Sequence, residues 1–533
     1  MPPSSSIEAL REALSTPAAY PHEPAQIEFK QTHISLVALV PPWVYKIKKP
    51  VSLTFLDFST LARRRHFCEA EVRLNRRLAP DTYEGVVPII ETDDGLRVEG
   101  DPDSGRGTVV EVAVKMRYLE PAQFLDARLA RGAASAADID RVVRTLCEFY
   151  RSRPSTPEVA ETGRIRRLRA VTEENFAEAE GHVGSLLSRP AHEALQFYAD
   201  LFYDQYAGLL HRRRAGGFVV EGHGDLRLEH VHRTDERVAI VDCTEFNEAF
   251  RHLDVANDVA FLAMDLDVHG HPDLSRRFVK RMAKGLGDSD LHHLIDFYKS
   301  QRAQVRGKVG GLRAAEAEVP PRERGRSRAQ ARRHYQWALR YAVAGSAPFV
   351  VVIMGRPGTG KSTQAQAVAQ ALGWPHLASD RIRKAHAGVP LHGRANTATR
   401  ERLYTDALTE AVYGTLQARA LQRARRHRDT VLDATFSRFA QRDQLRSALR
   451  AADVPYVFVE LTAEDDTLKR RLRRRSSETA TASDARARDF KMLAERYEAP
   501  DALEDPRHVR IGTTGAPADT TLEILKTLIR RAD

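Results

Sequence analysis

The stretch FVVVIMGRPGTGKSTQAQAVAQALG, residues 349–373, decides the fold of the C-terminal half. Its first six residues form an unbroken apolar run of strand length, as a strand buried on both faces requires. Gly355, Gly360, Lys361 and Ser362 then fit the phosphate-loop spacing G-x-x-x-x-G-K-[ST], and a helical pattern follows. Glycines at these positions let backbone N–H groups curl around phosphate oxygens, and the helix start adds its positive dipole end. The intervening Arg356, Pro357, Gly358 and Thr359, with Thr363 after them, complete the cradle. Lys361 is expected to reach the β- and γ-phosphates and Ser362 to hold Mg²⁺.

Working outward, HLAS (376–379), TVLDAT (430–435), YVFVELT (456–462) and HVRIG (508–512) read as further strands separated by helical patterns. That alternation predicts a five-stranded parallel sheet with helices on both faces. Ligands of such sheets lie beyond the carboxyl ends of the strands, where Gly355, Asp380 and Asp433 all fall. Two carboxylates beside a phosphate loop suit one that takes an acceptor's proton, Asp380, and one that orients metal-bound water, Asp433. The competing reading of Asp380 is a helix cap. DDTLKRRLRRRSS (465–477) puts Arg471 and Arg475 on one helical face, as a lid over a transferring phosphoryl group or as a solvated basic helix. MGRPGTGKST, LASDRIRK, VLDATF and LKRRLRRR together resemble the zeta-toxin-like P-loop kinases, a group that also resembles gluconate kinase, adenylylsulfate kinase and the kinase domain of polynucleotide kinase. The resemblance spans residues 346–533 and names no acceptor.

In the N-terminal half, GFVVEGHGDL is a strand entering a loop, and HVHRTDERVAIVDC (230–243) reads as a hairpin turning at Thr234–Glu236. Loop aspartate, hairpin and second aspartate is the layout of protein-kinase-like sites. Asp225 would orient the acceptor hydroxyl and take its proton, and Asp242 would hold Mg²⁺. Such sites also need a strand lysine paired with a helix glutamate. WVYKIKKPV (43–51) supplies Lys46, with Lys48 on the same face, so alternation alone leaves the choice open. In the helix of residues 59–80, Phe67, Glu71, Leu74 and Leu78 share one apolar stripe, whereas Glu69 lies among Arg65, Arg73 and Arg76. Glu71 therefore needs a buried partner, and Lys46 would serve. VEVAVKMRYLEP (110–121) reads as the strand and hinge that meet an adenine.

With these pieces, the region resembles the aminoglycoside phosphotransferase-like branch of the kinase fold. THISLVALVPPWVYKIKKPV, HGDLRLEH, IVDCTEFN and HLDVANDVAFLAMDLD more closely resemble a bacterial group that joins such a domain to a C-terminal P-loop ATPase. The resemblance implies the roles above for Lys46, Glu71, Asp225 and Asp242, and makes Asp258 a structural aspartate. One departure stands out: His230 occupies the position where the fold usually places a metal-holding Asn. Imidazole is a poor match for Mg²⁺, so one metal suffices, Mn²⁺ is preferred, or Glu245 substitutes. No glycine-rich lid is present, and PPW (41–43) takes the turn instead.

The fold class expected is thus α/β and α+β: a bilobal protein-kinase-like domain over 1–310, a linker and connecting helix over 311–345, and a P-loop NTPase domain over 346–533. Within the linker, the Gly-, Pro- and charge-rich stretch from residue 310 resembles an exposed loop, with a helix over about 328–343. A length of 533 residues, with 42% hydrophobic and 29% charged content, describes a globular chain of several cores. No apolar run reaches membrane-spanning length, the N-terminus lacks a secretion signal, and three scattered cysteines form neither a metal pattern nor a disulfide framework. A cytoplasmic protein with no membrane partner is expected. The net charge of +10 suits anionic ligands. ATP with Mg²⁺ or Mn²⁺ is the expected cofactor and a small molecule the expected acceptor. Nucleic acid is disfavoured because the Arg runs lack interleaved aromatics. Three rivals remain: an N-terminal pseudokinase regulating the P-loop domain, action on nucleic-acid ends, and phosphorylation of a nucleotide sugar.

Overall fold

A computed structural model describes residues 7–532 except 54–55, 102, 104–106, 391–401, 477–489 and 502–504. It divides into two compact units, Met1–Leu168 with Ala207–Tyr298, and Arg169–Tyr206 with Lys299–Asp533.

The first unit opens with a six-stranded antiparallel sheet. Its order is Glu28–Gln31, Ser35–Val40, Trp43–Lys48, Thr108–Arg117, Tyr83–Thr92, Gly95–Val98. Pro41 and Pro42 make the two-residue turn between the second and third of these strands. One face buries Leu36, Ala38, Tyr45, Ile47 and Ala113 against Leu10, Leu14 and Tyr20. The other packs Val112 and Val114 on Cys68 and Val72 of the helix Leu61–Asn75. Thr60 caps that helix by accepting from the Arg63 N–H, as its position before the apolar stripe dictates. Lys46 is registered opposite Val114, so the period of two turns Lys46 and Lys48 toward the helix. The predicted hairpin is present as Val231–Arg233 paired antiparallel with Val238–Ile240.

The second unit holds a five-stranded, all-parallel sheet in the order His376–Ala378, Thr430–Asp433, Val350–Gly355, Tyr456–Thr462, His508–Gly512. Numbered along the chain this is 2-3-1-4-5, so the order reverses beside Val350–Gly355 and opens a crevice at its carboxyl end. Val350, Val352 and Met354 face the helices Asp406–Ala424 and Phe439–Ala451. Lys361–Leu372 and Pro517–Ala532 pack against each other and against sheet strands. The stretch expected as an exposed loop from residue 310 is mostly helical. Helices Leu291–Ala315 and Pro321–Ala344 leave only five residues between them. Gly310 and Gly311 are not breakers but, like Gly307 before them, close-packing positions, where an added Cβ would press on Ala331, His182 and Tyr335 respectively. Among the described residues no helix is long and apolar enough to cross a membrane.

Candidate functional site

In the second unit the phosphate loop follows the fully buried strand Val350–Gly355. Gly355 (φ +137°) lies so close to the next strand that a Cβ would collide with the Leu461 carbonyl oxygen. Gly358 (φ +92°) and Gly360 (φ +88°) also sit in backbone space that other residues rarely adopt, and Gly360 caps the helix Lys361–Leu372. Thr359 Oγ1 and Lys361 Nζ both donate to the Arg356 carbonyl, at 2.9 and 3.1 Å, so these side chains close the loop on itself. Pro357 lies in the loop, and Ser362 and Thr363 stand exposed on the first helical turn. Arg356 pairs with Asp465 at 2.8 Å and covers the Phe490 ring at 5.0 Å.

Asp433 ends its strand buried, 3.3 Å from His376 Nε2. Asp380 lies inside the first turn of the helix Ser379–His386, whose N-cap is Ala378; the cap reading of Asp380 therefore does not hold. Burial pushes the Tyr413 phenol up to about 12 against the Phe436 N–H and the Arg383 charge, with the charges of Asp380 and Asp433 adding to the rise. Arg471 donates to Thr513 Oγ1 at 2.9 Å and to the Thr513 carbonyl. Arg475 is on the same helix, Asp465–Ser476, with its side chain outside the described residues, as is Ser477 of the expected lid segment.

In the first unit four chain segments meet. Glu71, 1% exposed, lies between two lysines: Lys46 Nζ at 2.8 Å from Oε1 and Lys48 Nζ at 2.7 Å from Oε2. Lys46, 15% exposed, also reaches Asp242 at 2.7 Å, whereas Lys48 is fully buried and pairs with Glu245. The two lysines that alternation left equivalent are thus separated by solvent access. Burial works against every one of these charges. It is outweighed at Asp242, where Lys46 holds the carboxyl well below the usual range, and at Glu71, held down by both lysines. At Glu245 burial prevails and the carboxyl is pushed up. Asp242 itself has φ +62°, a left-handed conformation that Asp tolerates better than most.

The loop carrying Asp225 is fixed from beneath. Asp258, fully buried, accepts from the His223 and Gly224 N–H groups at 2.6 and 3.0 Å and from the Tyr150 hydroxyl at 3.0 Å. Gly224 (φ +85°) leaves no room for a side chain, since a Cβ would stand 2.8 Å from the Phe250 carbonyl. His230 joins the two aspartates, 3.8 Å from Asp225 Oδ2 and 3.5 Å from Asp242 Oδ2. The residue that sequence reasoning missed is Arg227. It grips Asp225 through Nε (2.9 Å) and Nη2 (2.8 Å) and donates to His230 Nε2 at 3.0 Å. A cation two residues after a loop aspartate was its only signal.

The residues fit a nucleotide-bound Mg²⁺ by the chemistry of their donors. Asp242, with 46% of its side chain exposed, offers carboxylate oxygens, and Mg²⁺ is ordinarily held by one or two carboxylates plus phosphates and water. Among the described residues no group of three or more His, Cys, Asp or Glu would hold a metal unaided.

The sheet order and loop define the class: the second unit carries a P-loop NTPase domain, and residues 350–500 match the family model described as AAA domain. The chain belongs to the same family as two mycobacterial proteins, one from Mycobacterium tuberculosis and one from Mycobacterium bovis, both named as uncharacterized proteins. Each is 30% identical over 358 residues, covering 67% of this chain and 68% of the relative. Among solved structures, a gluconokinase from Sinorhizobium meliloti 1021 is similar at 24% identity over 35% of this chain and 94% of its own, with a TM-score of 0.27. Chaetomium thermophilum Kti12 in complex with ADP-AlF3 is similar at 16% identity over 34% and 98%, with a TM-score of 0.26.

Proposed function

We propose that this chain is an ATP-dependent phosphotransferase with two nucleotide sites. The first unit would be an aminoglycoside phosphotransferase-like kinase for a small hydroxyl- or amine-bearing acceptor, and the second a P-loop kinase or ATPase. The observation that carries the reading of the first unit is the chain of contacts from Glu71 to Lys46 to Asp242, and from Asp242 through His230 to Asp225. Lys46, oriented by Glu71, would bind the α- and β-phosphates. Asp225 would orient the acceptor and take its proton as the acceptor's oxygen or nitrogen bonds to the γ-phosphorus and the bond to the bridging oxygen breaks, releasing ADP. Mg²⁺, or Mn²⁺, would neutralise charge on the phosphates when bound at Asp242. In the second unit the glycine amides and Lys361 would hold the phosphates, Ser362 and Asp433 would serve the metal, and Asp380 would take the acceptor's proton. Arg471 and Arg475 would close on the transferring group. Positioning and electrostatics carry such catalysis.

A second reading, an N-terminal pseudokinase, is favoured by one observation: Asp225 is clamped by Arg227 rather than open to an acceptor. A metabolite screen on the full chain separates the two, with Asp225→Asn and Lys361→Ala tested individually and products followed by mass. Each variant is expected to lose a different phosphorylated product. If Asp225→Asn loses none, while ATP still binds the first unit, the pseudokinase reading replaces ours.

A further inference from the structure

We infer that the Arg227 guanidinium, positioned by His230, supplies in the first unit the positive charge that a second divalent cation supplies in protein-kinase-type sites, so that this site works with one metal ion. The inference rests on the phosphotransferase reading of that unit. In such sites two ions are held, one by the strand-end aspartate and one by the loop asparagine. Here the asparagine position is His230, and both of its nitrogens are committed. Nδ1 lies 2.8 Å from the Asp225 carbonyl, which only accepts, so Nδ1 carries the proton. Nε2 is therefore the lone pair, and it accepts from Arg227 Nη2 at 3.0 Å. No ring nitrogen is left for a metal while Arg227 stays in place.

Arg227 is built to stay. Its side chain is 12% exposed, forks onto both oxygens of Asp225 and pairs with Glu229. Its place is also the right one for the role. The guanidinium touches the acceptor-side aspartate, and through His230 it stands one side chain from Asp242 on the metal side. A permanently charged guanidinium held in that position favours the negative charge on a transferring phosphoryl group without leaving Asp225. Histidine in place of asparagine then has a physical reason: it exchanges an oxygen ligand for a nitrogen acceptor that orients an arginine.

The test counts Mn²⁺ and the non-hydrolysable analogue adenylyl imidodiphosphate bound per full-length chain, by electron paramagnetic resonance and equilibrium dialysis, with and without Asp242→Ala. The difference belongs to the first unit. One nucleotide and one Mn²⁺ lost is the expected result. One nucleotide and two Mn²⁺ lost overturns the inference and leaves the kinase reading standing; no nucleotide lost overturns both. Arg227→Gln combined with His230→Asn should raise the Mn²⁺ count by one, while Arg227→Lys, which keeps the charge, should not. A count unchanged in the folded double variant would also overturn the inference.

Discussion

At the scale of single residues, Lys46 and Lys48 show how solvent access separates groups that sequence periodicity cannot. Both lie on one strand face and both bind Glu71, but only Lys46 reaches Asp242 and has any exposure. Lys46→Met should therefore abolish nucleotide binding in the first unit, read by dialysis of a Lys361→Ala chain, where the Walker site no longer masks it. Lys48→Met should instead leave Glu245 buried without its cation and destabilise the unit by about 3–5 kcal/mol, read in denaturant melts. Glu71 was legible because a carboxylate on an apolar stripe needs a buried partner. Arg227 was not, because nothing in a loop sequence fixes which way a side chain turns. His230 adds a pH prediction. Burial, with Arg227 beside it, pushes its imidazole down to about 4 from an ordinary 6.5. The unfolded chain thus takes up a proton that the folded one refuses, and stability is full above about pH 6.5 and falls as pH drops toward 4. At pH 5 the loss from this group is about 2 kcal/mol. Melts in EDTA at pH 7 and pH 5 should show that difference in the native chain and a smaller one in His230→Asn.

Elements were legible where local chemistry alone dictates them. The strand Val350–Gly355 and its loop follow from an apolar run and from glycines whose φ values no other residue adopts easily. The later strands of the second unit are short apolar runs, Val431–Leu432 and Tyr456–Val459 among them, flanked by polar residues or proline. Gly355 links element to packing most directly. Gly355→Ala would force strained backbone costing about 1–3 kcal/mol and drive a methyl into the Leu461 carbonyl. The central strand pair would part at the point where the loop begins. The expected outcome is a lowered melting temperature together with lost nucleotide binding at the P-loop, both read on the full chain. Lys361→Ala should lose the binding without the stability change. Where glycine was read as a breaker, in Leu291–Ala315, the reading failed because the same residue also permits close helix contact. Only the partner helix distinguishes the two uses, and the partner is not local.

Across the whole molecule that limit is most visible in how the second unit is assembled. It is discontinuous: Arg169–Tyr206 belongs with Lys299–Asp533, although some ninety residues of the other unit intervene. An amphipathic helix announces that it has a buried face but not which surface covers it. Arg189–Gln205 packs on both Pro321–Ala344 and Pro517–Ala532, and Ile524, Leu525, Leu528 and Ile529 of the last are essentially inaccessible to solvent. A chain ending at residue 345 would keep the first of these partners and lose the second, together with the whole parallel sheet. That cut removes these four side chains and uncovers the apolar surface they cover on Arg189–Gln205 and Pro321–Ala344. Residues 1–345 alone should therefore expose an apolar face, and bind a hydrophobic dye and self-associate more than the full chain does. A compact, monomeric 1–345 fragment in light scattering would show that Arg189–Gln205 does not depend on the C-terminal helix. Point variants in the full chain are for this reason the sound way to assign activity to either site.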